Sequence, residues 1–307
     1  MVKLKYLLIV CYLVSKCSGT FGQSIRPLYG DSAAIFIHNQ TSEQMVGPAN
    51  DPKEYRNVSI PTLQAFMPPS GKVSGTAIII FPGGAYQMLV YKDEGTLIAR
   101  YLAAQGITAF VVKYRLPNDL NTPEKYLVPL QDAQQAIKMV RERATQYHLD
   151  IHKIGLMGFS AGGHLASTLG THFHKSYIPN PDSISLRPDF MMLIYPVISM
   201  KDGLTHAGSK KNLLGKNPKK ENVKLFSNEE QVGNDTPPTY LIHAGDDSAV
   251  PVNNSILFYQ ALQTRSLNAE MHLYPKGNHG FIKKMAVNEW LDPMLYWLNQ
   301  SGFWTAK

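Results

Sequence analysis

Ser160 stands in Gly158-Phe159-Ser160-Ala161-Gly162, and the residues around it decide what its hydroxyl can do. Lys153-Ile-Gly-Leu-Met157 before it is a short apolar run of buried-strand type. Gly163-His-Leu-Ala-Ser-Thr-Leu-Gly170 after it is small and apolar at helical spacing. Strand, sharp turn and helix are the setting of a G-x-S-x-G nucleophile elbow. The glycines let the chain turn tightly enough to expose the serine beside a helix N-terminus, whose free N–H groups can stabilise an oxyanion. A glycine-rich strand-to-helix turn with no chemistry would fit the same five residues. The rest of the chain argues against that reading, because a serine nucleophile needs a base and an acid that orients the base, and both follow in order.

Thr239-Tyr-Leu-Ile-His243 reads as a strand ending in Ala244-Gly245-Asp246-Asp247-Ser248. Ala269-Glu-Met-His-Leu-Tyr274 reads as another, ending in Pro275-Lys-Gly-Asn278-His279-Gly280-Phe281. The acid is one of the adjacent pair Asp246 and Asp247. The base is His279, which alone among ten histidines combines a loop after a strand, flanking glycines and the right chain order. His164 on the elbow helix and His243 within a strand read as packed side chains. His172 and His174 read as solvated surface, and His206 as a polar-segment residue that could reach substrate. A second oxyanion donor must come from another loop. Gly75-Thr-Ala-Ile-Ile-Ile-Phe81 is a near-continuous apolar strand leading into Pro82-Gly83-Gly84-Ala85-Tyr86. Glycines there allow close backbone approach, so Gly84 and Ala161 are the expected donors, with Gly83 or Ala85 as neighbouring options.

Around these residues the chain alternates strands and helices, which predicts an α/β fold with a mostly parallel sheet. The expected order is strand 76–81, helix 93–105, strand 107–114, helix 124–147, strand 153–159 and helix 161–170. Strands 189–197 and 239–244, helix 252–264, strand 269–274 and helix 285–300 follow. Residues 23–75 are polar and proline-rich, with one strand pair expected near Val58–Ile60 and Leu63–Phe66. Residues 199–238 interrupt the alternation with a lysine- and asparagine-rich stretch, expected as an insertion over the active site. Its polarity lacks the broad apolar face of a lipase lid. Tyr86, Tyr91, Phe281 and Trp290 are candidates for stacking on sugar rings, although Trp290 and Trp297, seven apart on the last helix, also suit core packing.

The motifs together resemble the α/β-hydrolase fold in its carbohydrate-esterase form, similar to bacterial acetyl xylan esterases and related deacylases, a group often labelled as xylanases. The resemblance runs from about Thr76 to Trp297. It is carried by Phe81–Tyr86, Glu94-Gly95, Lys113–Pro117, Asp132-Ala133, Gly158–Ala166, Leu193–Pro196, Asn212–Gly215, Thr236–Pro238, Val250-Pro251 and Gly277–Phe281. It implies helices on both faces of the sheet, a serine mechanism without cofactor or metal, and removal of small acyl groups, acetyl foremost, from plant-wall glycans. It also implies Asp247 rather than Asp246 as the acid, from the spacing to Val250-Pro251. Ala85 stands where relatives commonly carry a third glycine. A feruloyl esterase would share every catalytic residue and differ in pocket width. A non-catalytic glycan-binding relative is opposed by the intact set of three.

At 307 residues and 44% hydrophobic, the chain suits one large core, expected over 23–307. Lys3 and Lys5 precede the apolar run Tyr6–Val14, too short to span a bilayer. Small residues follow to Gly22, so 1–22 reads as a secretory signal peptide and the protein as secreted or periplasmic. Lys16 before Cys17 is a poor lipoprotein signal. Both cysteines, Cys11 and Cys17, lie in this segment, leaving no disulfide to the mature chain. Of the net charge of +7, three lysines belong to residues 1–22. The mild excess left, without a basic tract or metal-spaced Cys/His cluster, points to no nucleic-acid partner and no metal.

Overall fold

The computed structural model describes residues 23–30, 42–117 and 124–305; the expected signal segment, 1–22, lies outside them. Among the described residues there are eleven strands and seven α-helices: β1 (Gln23–Pro27), β2 (Gln44–Val46), β3 (Glu54–Arg56), β4 (Thr62–Phe66), β5 (Ala77–Phe81), β6 (Met88–Leu89), α1 (Leu97–Ala104), β7 (Thr108–Lys113), α2 (Val128–Glu142), β8 (Ile154–Phe159), α3 (Ala161–His172), β9 (Met191–Ile194), α4 (Ala207–Leu214), α5 (Lys220–Leu225), β10 (Thr239–Ala244), α6 (Asn253–Thr264), β11 (Ala269–Tyr274) and α7 (Val287–Gln300). The main sheet has eight strands in the order β1-β4-β7-β5-β8-β9-β10-β11. From β7 to β11 every neighbour is parallel, and only β4 runs against the rest. This is the expected α/β-hydrolase arrangement. A small antiparallel sheet, β2-β3-β6, had no expectation in its favour.

The central strands are apolar because both faces are covered. Along β5, Ile79 and Phe81 join the core with α2, α3 and α6, while Ile78 and Ile80 join the core with α1 and α7. Each of these fully buried side chains contributes about 1.5–3 kcal/mol. Trp290 and Trp297 are buried in the α7 layer, as packing residues. Val58–Ile60 forms no strand, a correction to the expected pair. Pro61 lacks an N–H to extend one, and the Val58 carbonyl instead accepts the Leu116 N–H at 3.2 Å. β4 pairs with β1 and β7 instead. Strand 189–197 is shorter than expected. Tyr195 turns to φ 37° and Val197 N–H leaves the sheet to donate to the Ser160 carbonyl at 3.0 Å.

Residues 199–238 are folded onto the body. They contain α4 and α5, and Met200, Leu213, Phe226 and Val232 enter the α2–α3–α6 core. Two buried asparagines fasten them. Asn254 accepts from the Ile198 and Ser199 N–H groups and donates to Leu204 O. Asn228 donates to His164 O, Ser167 Oγ and Thr168 Oγ1.

Around β8 and α3 the backbone tolerates no added atoms. A Cβ on Gly162 would lie 2.0 Å from Phe81 O, and one on Gly158 2.3 Å from Gly162 O. Gly162→Ala is therefore expected to lower stability by more than about 2 kcal/mol. Gly245→Ala, where the nearest atoms lie at 3.6 Å, should cost less than about 1 kcal/mol. Urea unfolding of the two variants checks the contrast.

Candidate active site

The sheet delivers the chemistry-bearing residues to the carboxyl ends of its parallel strands, where ligands of open α/β sheets bind. Ser160 follows β8 and sits at φ 51°, ψ −118°, a conformation costing about 1–3 kcal/mol for a residue with a side chain. Held there, its Oγ lies 2.9 Å from His279 Nε2, and His279 Nδ1 lies 2.7 Å from Asp247 Oδ2. Nδ1 faces a carboxylate and so carries the ring proton, leaving Nε2 free to accept from the serine hydroxyl.

Asp247, not Asp246, meets His279. Asp247 Oδ1 accepts the Ala249 and Val250 N–H groups at 3.0 and 2.8 Å, which turns the carboxylate inward. Its Oδ2 is shared by His279 and by His243 Nε2 at 3.1 Å. His243 Nε2 also faces the Val250 carbonyl at 3.0 Å, so it must carry a proton, and Nδ1 accepts from Ser255 Oγ at 2.8 Å. Burial opposes the charge on Asp247. The hydrogen bonds from His243, His279 and the Val250 amide outweigh it and hold the carboxyl well below the usual range. Asp246 is exposed and has another task, accepting the Asn278 N–H at 2.7 Å. Asn278, at φ 58°, accepts from Ser248 N and Oγ, both at 3.0 Å, and so joins the acid loop to the base loop.

Ala161 opens α3, where its N–H has no acceptor within the helix. The facing loop after β5 folds back on itself. Gly84 O accepts from Gln87 and Met88, and Gly84 takes φ 128° with no space for a Cβ, which would lie 2.1 Å from Met88 O. Among the described residues the Gly84 and Ala85 N–H groups donate to no protein acceptor. Gly83 corrects an expectation: its N–H already donates to Glu94 Oε2 at 2.8 Å and is not available to a ligand. Ala85 adopts φ 58° where a glycine would be unstrained, and its carbonyl accepts from Asn212 Nδ2 of α4 at 2.8 Å.

Glu94 carries a functional setting that its sequence position does not announce. A π-type turn at Lys92–Thr96, with Thr96 N–H donating to Tyr91 O, swings it beneath the oxyanion loop. Oε2 holds Gly83, while Oε1 accepts from Tyr195 O–H at 3.0 Å. The Tyr195 ring packs edge-on to His279 with centroids 4.8 Å apart. Burial raises the Glu94 pKa, against the pull of Lys283, the Gly83 N–H and Tyr195. One buried carboxylate thus braces both the oxyanion loop and the base.

The aromatic candidates for sugar stacking are corrected: Tyr86, Tyr91, Phe281 and Trp290 are all buried, with at most 2% of their surface exposed. The Tyr86 hydroxyl donates to His164 Nδ1 at 2.8 Å, and His164 Nε2–H donates to Phe226 O at 2.8 Å. His164 therefore ties the oxyanion loop, α3 and the 199–238 excursion together. Phe281 packs on Tyr195 and Tyr274. His206 caps α4, its Nδ1 accepting from the Ser209 N–H at 3.2 Å. Burial first, then the nearby His279, lower its pKa.

Asp247→Asn should reduce kcat by about 10³-fold or more, whereas Asp246→Asn should cost less than about tenfold; steady-state kinetics on one acetate ester separates them. Burial lowers the His164 pKa to about 4 from 6.5. The folded state then binds fewer protons than the unfolded chain, so stability is fully present above the unfolded value and declines as pH falls through that window. The loss amounts to roughly 3 kcal/mol between neutral pH and pH 4. His164→Gln should be less stable at neutral pH and show a shallower decline, measured by urea unfolding across the same range.

Three comparisons bear on this site. The BD-FAE family model matches residues 63–262. The chain is 38% identical over 223 residues to endo-1,4-beta-xylanase B of Butyrivibrio fibrisolvens, covering 72% of this chain and 34% of that protein. It is also 38% identical over 212 residues to an acetylxylan esterase of Xylanibacter ruminicola, covering 68% of this chain and 41% of that protein. The chain thus spans less than half the length of these two relatives. Among solved structures, an acetyl ester-xyloside bifunctional hydrolase from Caldicellulosiruptor lactoaceticus matches with TM-score 0.75 and 38% identity, over 92% of this chain and 97% of that one.

Proposed function

The chain belongs to the BD-FAE family, and from that premise we propose that it is a serine esterase removing small acyl groups, acetyl foremost, from plant-wall polysaccharides or their oligosaccharides. The observation that carries the reading is the line of hydrogen bonds from Ser160 through His279 to Asp247, set beside unpaired N–H groups. His279 Nε2 takes the Ser160 proton as Oγ attacks the ester carbonyl. Asp247 holds the Nδ1–H tautomer and stabilises the imidazolium. The Ala161 and Gly84 N–H groups receive the negative charge that develops on the carbonyl oxygen, in a setting that needs no reorganisation. The imidazolium then protonates the departing sugar oxygen. In the second half His279 activates water, which attacks the acyl-serine and releases the carboxylic acid.

The acylated glycan as substrate is supported by the relatives' names and by the character of 199–238. No large hydrophobic residue of that excursion is exposed among the described residues, so it offers no apolar face to a lipid surface. No helix among the described residues is long and apolar enough to cross a membrane. The leader read at residues 1–22 supports an enzyme that meets its polymer outside the cytoplasm.

Acetate release from acetylated xylan, pectin and mannan, with acetyl, butyryl and decanoyl esters of one leaving group alongside, tests the reading. Acetyl esters should give the highest kcat/KM, and Ser160→Ala should lower it by at least about 10³-fold without loss of fold. A decanoyl preference, or more than a tenth of the activity left in Ser160→Ala, would overturn it.

A further inference from the structure

The 199–238 excursion holds a feature that the acyl chemistry does not use. α4, α5 and the residues between them enclose an open cleft of about 910 Å³, lined by Lys201, Lys210, Lys211, Lys216, Lys220 and Lys224. Two carboxylates share it, and both are taken. Lys210 Nζ lies 2.6 Å from Asp202, and Lys201 Nζ lies 2.5 Å from Glu230. Among the described residues, no carboxylate lies within ion-pairing distance of Lys211, Lys216, Lys220 or Lys224, and all four are exposed. Like charges gathered around one concavity repel each other and focus a positive field into it. Folding gains nothing from that arrangement; an anionic ligand would.

The cleft adjoins the active site through α4. Asn212 of that helix donates to Ala85 in the oxyanion loop, and its cap, His206, lies within the field of His279 and Asp247. A polymer seated between α4 and α5 and crossing α4 would arrive at the oxyanion loop. Its cations are all lysines, compact point charges suited to carboxylates spaced along a flexible chain. The planar guanidinium fork that reads phosphate bidentately is missing from the lining. No aromatic ring lines the cleft, so it lacks the stacking platform of a single-stranded nucleic-acid groove.

We propose that this cleft binds the carboxylates of uronic-acid units on the acylated glycan whose ester is cleaved at Ser160. The inference rests on the esterase reading above and narrows it to charged glycans. The bound unit is held by salt-sensitive charge contacts, so its contribution falls on KM rather than on kcat.

The test begins with binding, which needs no turnover. Calorimetry with two uronate sources, glucuronoxylan oligosaccharides and oligogalacturonides, is compared with the same oligosaccharides after carboxyl reduction. At least one charged form should bind about tenfold or more tightly than its reduced counterpart, with most of that advantage lost between about 0.05 and 0.3 M salt. The source that shows the preference is the one the cleft serves. In the combined variant Lys211→Gln/Lys216→Gln/Lys220→Gln/Lys224→Gln the preference should vanish with Tm unchanged. The ratio of kcat/KM on acetylated charged glycan to that on its carboxyl-reduced form, in which any damage to the chemical step cancels, should fall towards one. Equal binding of charged and reduced forms, an unchanged preference in the lysine variant, or tighter binding of an RNA oligonucleotide than of either uronate would overturn the proposal. Acetate release without charge preference removes the cleft and leaves the esterase. Lysine-dependent uronate binding without acetate release from any glycan removes the esterase.

Discussion

Three stretches of backbone meet at Ser160 more closely than side chains would permit, and the rest of the molecule is arranged to hold them there. A Cβ on Gly83 would come 2.8 Å from Phe159 O and 3.0 Å from Ser160 Cβ, and one on Gly162 would meet Phe81 O at 2.0 Å. That approach brings the end of β5, the elbow and the start of α3 into one small volume. The serine pays with a φ of 51°. A strain of about 1–3 kcal/mol persists only where its surroundings over-determine it. Here β5 and β8, paired along their length and buried on both faces, leave the elbow no alternative path.

The polar framework around the elbow divides its labour by which hydrogen bonds each group can make. Asp247 is ringed by donors and stays ionised. His279 is fixed between an obligate acceptor and a hydroxyl, which sets its tautomer. His243 and Asn278 steady the acid and base loops from behind, and neither contacts the serine. Glu94 works at longer range, with one oxygen on the oxyanion loop and the other on Tyr195, which faces the base. Asp247, His243, Glu94 and Tyr195 are buried, so a bond lost among them leaves an unsatisfied group that costs about 1–3 kcal/mol. The framework is therefore stiff, which suits a reaction driven by charge stabilisation at a preset position.

Residues 199–238 meet this framework from outside. Their apolar side chains are spent on the core, Asn212 and Asn228 on backbone carbonyls, and Lys211, Lys216, Lys220 and Lys224 remain for solvent or ligand. A segment fastened at both ends by buried amides is a wall, and it exposes no large hydrophobic side chain among the described residues.

Much of the fold was legible in the sequence because its signals are local. The apolar runs of β5, β8 and β10, the helices between them, and the turn chemistry at Gly158–Gly162 and Gly277–Gly280 each depend on neighbours a few residues away. Chain order and loop position singled out Ser160 and His279 in the same way. The resemblance carried by Val250-Pro251 preferred Asp247, and the inward turn made by two local N–H groups accounts for it. Roles that depend on distant partners were not legible. Tyr86 and Phe281 looked available to sugar and are buried; Gly83 looked like a donor and is occupied by Glu94, eleven residues on. The Glu94–Tyr195 bond and the link from Asn278 to Ser248 formed only when segments far apart in sequence were brought together by the sheet. The sequence by itself determined the strands, the helices and the order of the reacting groups, since backbone preference and apolar periodicity are short-range. Which polar groups face one another was decided by tertiary structure alone, because a hydrogen bond needs its two atoms within about 3 Å, and composition and spacing do not carry that distance.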